Sequence, residues 1–332
     1  MLNLKDVWHL GRGLARPESV LATANGAIYA SDSRYGVVRV GTDGEVAFAA
    51  TLPEARSPIV PNGIALMSDG RFLLSNIGDT GGIYALDNGA VFKPYITEFE
   101  DRPAPPINFL MVDQKDRLWV SVSTMFSPRH RAYRHDVANG FIALIENGNF
   151  RLLADGLAYT NEIRLDPSGE WLYVSETFGK RISRFRVARD GALSDRSVFG
   201  TVDDGDFVDG IAFDEEGGLW AICIVSNRIY RFDRHGRRDL VLSETPVDFV
   251  RDVALALRDG KMGRRHFDET PNRVLKNVAS IAFAGADRKT AVMGSLAGDT
   301  LIAFEAGVAG LEPVHWRSTP ATLFDRPIDD HL

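Results

Sequence analysis

Six stretches of the 332-residue chain repeat one phrase and change its leading letter. They are ESVLATANG from Glu18, NGIALMSDG from Asn62, NFLMVDQKD from Asn108, NEIRLDPSG from Asn161, DGIAFDEEG from Asp209 and ASIAFAGAD from Ala279. If these segments stand at equivalent places around an axis, their leading residues form a ring at one height. That ring holds two carboxylates and three amides, so it offers oxygen ligands and neither Cys nor His. Two carboxylates buried side by side cost several kcal/mol unless a cation balances them or their pKa values rise. An all-oxygen set favours a hard cation, Ca2+ first and Mg2+ or Mn2+ next. A single Asn or Asp before Gly is more simply a turn residue serving its own backbone. No turn rule asks for Glu18, and oxygen-bearing side chains at five of six equivalent positions point to a built site.

The elements that would position such a ring are strands. Each phrase is a short, partly alternating apolar segment that meets a polar or Gly-rich turn about seven residues on, a hairpin spacing. Second strands follow as AIYASD, RFLLSN, RLWVSV, EWLYVSE, GLWAIC and TAVMGS, and third strands as GVVRV, GIYAL, GFIALI, RISRFRV, NRIYRFD and TLIAFEA. A fourth is visible in several copies, such as VFKPYI after Gly89 and FRLLAD after Asn149. Six four-stranded meanders, repeating every ~45 to 70 residues, read as an all-β fold, a six-bladed β-propeller with the ring in its central channel. One blade cannot bury both faces of its sheet, so the chain from 1 to 332 is expected to close as one domain. The N-terminal DVWHL segment could supply a strand to the last blade.

Two insertions break the rhythm. Residues 126–139, FSPRHRAYRHDVAN, lengthen the third blade and carry Arg129, Arg131, Arg134, His130 and His135. Residues 245–274 precede the sixth blade, and VDFVRDVALALRDG within them has the spacing of a short amphipathic helix. Each insertion is either an ordinary surface loop or a lid over one end of the channel. The helical stretch leaves both a monomer and a homodimer open.

Bulk composition narrows the partners. Charged residues make up 25% of the chain and the formal net charge is −7, which supplies no general basic face for nucleic acid or a membrane surface. Cys223 stands alone, so no intrachain disulfide is expected, and neither a signal-like apolar leader nor a membrane-spanning run is present in the sequence. The expectation is a soluble cytoplasmic protein that works on a small molecule.

RPES around Glu18, PNGIAL around Asn62, TNEIRLDPSGEWLYVSET around Asn161 and VDGIAFDEEGGLW around Asp209 give the chain a family likeness across nearly its whole length. It resembles the senescence marker protein 30, gluconolactonase and luciferin-regenerating enzyme family, six-bladed propellers that hydrolyse lactones with a divalent metal. The resemblance implies Glu18, Asn161 and Asp209 as metal ligands, Asn108 near the metal or the substrate, and Asp209 as general base. The chain departs from the family where sugar-lactone members carry an Arg-x-Asn-Asp run. Here Pro106, Ile107, Asn108 and Phe109 stand instead, which removes donors for sugar hydroxyls and adds an aromatic. Glu162 stands where the family usually has Gly, and strand alternation would turn it away from the site.

The expected chemistry is therefore a metal-dependent lactonase opening a cyclic ester less polar than a sugar lactone. Asp209 would be the catalytic base, while Asn62, Asn108 and Phe109 would contact the substrate. The cofactor would be one divalent cation, with Ca2+ ahead of Mg2+, Mn2+ or Zn2+. No Gly-x-Ser-x-Gly elbow supports a serine hydrolase, and the scattered histidines show no zinc-binding spacing. Other metal-assisted reactions in the same cup remain alternatives, namely phosphotriester hydrolysis or hydration and dehydration. So does a non-catalytic propeller scaffold that a metal merely stabilises.

Overall fold

Alternating apolar residues and polar turns build the same unit six times. In the computed structural model, which describes residues 1–53, 59–271 and 274–328, six antiparallel sheets surround a central channel as a six-bladed β-propeller. The channel-lining first strands are Val20–Ala22, Pro61–Leu66, Phe109–Val112, Thr160–Leu165, Phe207–Phe213 and Val278–Ala284. Each pairs with the strand that follows it in sequence, so blades 2 to 5 are meanders of local hairpins, while blades 1 and 6 also take a strand from a distant part of the chain.

The turn after the first strand explains part of the repeated phrase. Asp113 accepts the indole N–H of Trp119 at 2.9 Å, and Asp214 accepts that of Trp220 at 2.8 Å. Both Trp side chains are buried, so each indole needs a polar partner, and the turn Asp supplies it.

The circle closes at both termini. Trp8–Leu10 pairs antiparallel with Leu301–Glu305 and forms the outer strand of blade 6, as the DVWHL segment led one to expect. Arg326–Pro327 adds a fifth strand to the outer edge of blade 1, against Ala47 and Phe48. The apolar faces of neighbouring blades interlock, as where Ile64, Leu66 and Phe72 of blade 2 pack with Tyr29 and Val37 of blade 1. Among the described residues, no helix is long and apolar enough to cross a membrane.

The second insertion contains the expected helix, Val247–Arg258, which buries Val250, Val253 and Leu257 along one stripe. Residues 272–273 of that insertion lie outside the described residues.

Candidate functional site

The ring residues sit where the first strands are irregular. Pairing with the second strand slips between Pro61 and Ile64, Thr160 and Ile163, Val208 and Ile211, and Val278 and Ser280. Asn62, Asn161, Asp209 and Ala279 each fall inside such a slip, while Glu18 and Asn108 lie just ahead of their paired segments. A β-bulge turns a side chain out of the regular alternation, and here it does so at the same step of blade after blade.

The glycines after Asn62 and Asp209 have a different cause from a turn. A Cβ on Gly63 would lie 3.0 Å from the Phe109 Cα, and one on Gly210 would lie 2.5 Å from the Ala279 carbonyl oxygen. Neighbouring first strands approach so closely at these points that no side chain fits. Elsewhere the same step carries a polar side chain that stitches two blades together. Ser19 Oγ accepts the Ile64 N–H at 3.3 Å, and Glu162 Oε2 accepts the Ile211 N–H at 3.3 Å.

The amides form a chain around the ring. Asn62 Nδ2 donates to the Asn108 carbonyl at 2.9 Å, and Asn108 Nδ2 donates to Asn161 Oδ1. Asn161 Nδ2 donates to Thr177 Oγ1 at 3.2 Å, and that hydroxyl donates to the Val208 carbonyl at 2.9 Å, next to Asp209. Two arginines complete the arrangement. Arg16 pairs with the Glu18 carboxylate and donates to Asn62 Oδ1 at 3.2 Å. Arg129, from the first insertion, donates to Asn108 Oδ1 at 3.1 Å and to Ser123 Oγ at 3.2 Å.

Asp209 is the least compensated member. It is 4% exposed, and among the described residues its carboxylate accepts no hydrogen bond. Burial raises its pKa well above the ordinary value, the charges of Glu18 and Glu162 raise it further, and Arg16 and Arg129 oppose them. Glu162 does not turn away into the blade, as regular alternation would have required. It is buried, pairs with Arg164 at 2.8 Å, and burial pushes its pKa up to about 7 against the pull of Arg164 and the Ile211 N–H. The slip between Thr160 and Ile163 is the reason, because alternation fails across a bulge.

Among the described residues, no group of three or more His, Cys, Asp and Glu is arranged so that it could hold a metal ion. The donor set of the ring is mixed, with the carboxylates of Glu18 and Asp209 beside the amide oxygen of Asn161. Oxygen donors around a carboxylate without a hydrogen bond fit a hard cation in kind, and Arg16 is the counter-charge that would compete for Glu18.

The two insertions meet over this end of the channel. Ala132 and Tyr133 of the first pack with Val250, Val253, Leu257, Met262 and Phe267 of the second, and the same cluster includes Tyr159, Phe207 and Ala279 at the ring end of the first strands. Tyr133 makes edge contacts with Tyr159 at 5.6 Å and Phe267 at 5.3 Å between ring centres. Arg129 lies 5.6 Å from the centre of the Tyr159 ring. The insertions thus form an aromatic roof that holds Arg129 over the amides. Phe109 lies apart from the ring. Its side chain belongs to a buried cluster with Trp119 and Ile163, and Arg164 covers its ring at 4.5 Å.

Arg16 and Thr177 are the participants that pattern reading passed over, and Glu162 is one that it expected to face away. Arg16 stands two residues before the ring position, in RPES, and only the closed circle brings it to blade 2. Thr177 follows a second strand, so no repeat of the first-strand phrase contains it.

The architecture and the ring define the class: a six-bladed propeller with acids and amides gathered at one end of its channel, beneath a roof. Residues 16–261 match the SMP-30/Gluconolactonase/LRE-like region, and the chain belongs to that family. Similar solved structures include a gluconolactonase from Xanthomonas campestris, 20% identical, with a TM-score of 0.66 over 90% of this chain and 89% of that one. A luciferin-regenerating enzyme is 15% identical, with a TM-score of 0.67 over 94% of this chain and 99% of that one. The calcium-binding protein regucalcin from Agrobacterium tumefaciens is 16% identical, with a TM-score of 0.65 over 95% and 97%. At these identities the likeness is one of fold.

Proposed function

We propose that the protein is a divalent-metal-dependent hydrolase that opens a lactone less polar than a sugar lactone. The observation that carries this reading is Asp209, a buried carboxylate that accepts no hydrogen bond among the described residues, in electrostatic contact with Glu18 at the end of an amide chain. Family membership supports a hydrolase, and the calcium-binding character of regucalcin supports Ca2+ as the first cation to try.

Glu18, Asn161 and Asp209 would hold the cation, with Arg16 yielding Glu18 to it. When bound, a divalent cation polarises an ester carbonyl and makes a neighbouring water more acidic. Asp209 takes the proton of the attacking water at its carboxylate. Water oxygen joins the carbonyl carbon, the ring C–O bond breaks, and the departing alkoxide takes the proton back from Asp209, so a hydroxy acid results and the carboxylate is regenerated. Arg129 uses two N–H contacts on Asn108 and Ser123 and keeps others for the developing oxyanion. Asn108 orients that guanidinium, and Asn62 fixes Asn108 through its backbone carbonyl. Such a roof would shield the ring from bulk water, which would strengthen each of these interactions.

Arg129 brings a guanidinium beside Asn108, where Pro106 and Phe109 provide none. The case for a less polar substrate accordingly moves from Phe109 to the aromatic roof of Tyr133, Tyr159 and Phe267. The test is hydrolysis of sugar, alkyl and aromatic lactones by metal-stripped protein with Ca2+, Mg2+, Mn2+ or Zn2+ restored, beside Asp209→Ala. Metal-dependent turnover that vanishes in the variant is expected. Metal binding without turnover of any lactone would favour the scaffold or another metal-assisted reaction.

A further inference from the structure

A cavity of about 500 Å3 occupies the other end of the channel. Its walls come from the later residues of the first strands, the turns that follow them and the C-terminal segment Leu311–His315, and none of the six ring residues lines it. The volume is that of a small-molecule site.

Two polar groups in this cavity are unusual. Arg164 uses Nη2 on Glu162 and Nη1 on the Ile163 carbonyl, keeps further N–H groups, and stacks over Phe109. The Nε2 of His315 is buried and has no hydrogen-bond partner among the described residues. An unmatched polar atom in a protein interior costs about 1–3 kcal/mol, and a ligand can supply the missing partner. Burial and the Arg164 charge push the imidazole pKa down to about 4, so the ring is neutral at pH 7. A hydroxyl suits Nε2 in either tautomer, because it both donates and accepts.

The charge at the mouth favours an anion. Three of the acids around it are paired with guanidinium groups, Asp113 with Arg117, Glu170 with Arg186, and Glu312 with Arg288 and Arg317, while Asp166 keeps its charge and accepts hydrogen bonds from Ser168 and the Trp171 N–H. Lys115 and Arg189, which also line the cavity, have no carboxylate partner among the described residues. Phe213 and Phe283 contribute apolar walls.

We propose that this cavity is a second small-molecule site, built for a hydroxylated, ring-bearing carboxylate that sets its carboxylate on Arg164, its hydroxyl on His315 and its ring between the phenylalanines. The proposal is independent of the chemistry at the acidic ring. Calorimetric titration of the full-length protein with 4-hydroxyphenylacetate tests it, with 4-hydroxyphenylacetamide as the uncharged control. Saturable binding with a Kd below about 1 mM is expected, at least about tenfold weaker for the amide. Val314→Trp obstructs the mouth from a position that is exposed, and His315→Phe removes the hydroxyl partner. Each should weaken binding about tenfold or more, while Asp209→Asn should leave it intact. No binding at about 10 mM, equal binding of the amide, or loss in Asp209→Asn with retention in Val314→Trp would overturn the proposal.

Discussion

Asp209 is both the proposed base and a source of instability. Its carboxylate is buried near Glu18 and Glu162, with Arg16 and Arg129 opposing their charge. Asp209→Asn keeps the shape and removes the charge, so kcat should fall about 10²- to 10⁴-fold. The metal-free variant should nevertheless resist urea better than the metal-free parent, by about 1 kcal/mol or more. A variant less stable than the parent would mean that the carboxylate is compensated after all. Two other titrating groups act in opposite directions on stability. Glu162 has a folded pKa near 7 against an ordinary 4.5, so its contribution is complete below about 4.5 and is lost as pH rises to about 7. His315 has a folded pKa near 4 against 6.5, so its contribution is complete above about 6.5 and is lost as pH falls to about 4. Urea midpoints of the metal-free protein between pH 4 and 8 should therefore respond with opposite slopes to Glu162→Gln and His315→Phe, the first removing a fall with rising pH and the second a rise.

At the scale of elements, the bulged first strand is the device that makes the site. Its bulge aims one side chain at the axis, and the next residue packs against the neighbouring blade. Gly210→Ala should cost about 2–4 kcal/mol, because the new Cβ meets backbone that cannot move aside. Gly217→Ala, at a turn glycine with φ +80° and open space around it, should cost only about 1 kcal/mol. Equal urea midpoints for the two would remove the close-approach explanation. Arg129 opposes the charge of Asp209 and is the proposed oxyanion donor, so Arg129→Met should lower stability modestly and lose about 10²-fold or more in kcat/KM on the best lactone. An unchanged kcat/KM would place Arg129 in the roof alone. The strand pattern and the Val247–Arg258 helix were legible from apolar spacing. The bulges were not, since a slip in pairing depends on the partner strand, and that is why alternation misplaced Glu162.

The whole molecule decides how blades share their stability. Blade 6 is completed by Trp8–Leu10, so removing residues 1–10 should expose the edge Leu301–Glu305 and lower the melting temperature of the entire protein. Calorimetry should show a single transition displaced downward, whereas a separate transition for one blade would contradict closure by this strand. Ca2+ at about 1,000 times its Kd should add about 4 kcal/mol to the parent and far less to Asp209→Asn. What the amino-acid sequence determined by itself is the number of blades, the ring positions and their oxygen chemistry. These are written in short repeats, and strand pairing within a blade is local except where the two termini join blades 6 and 1. Only the tertiary structure decided that Arg16 and Arg129 reach the amides, that two insertions meet as a roof, and that Arg164 and His315 share a cavity at the opposite end. Those groups lie far apart in the chain, and they come together only when the six sheets close around one axis.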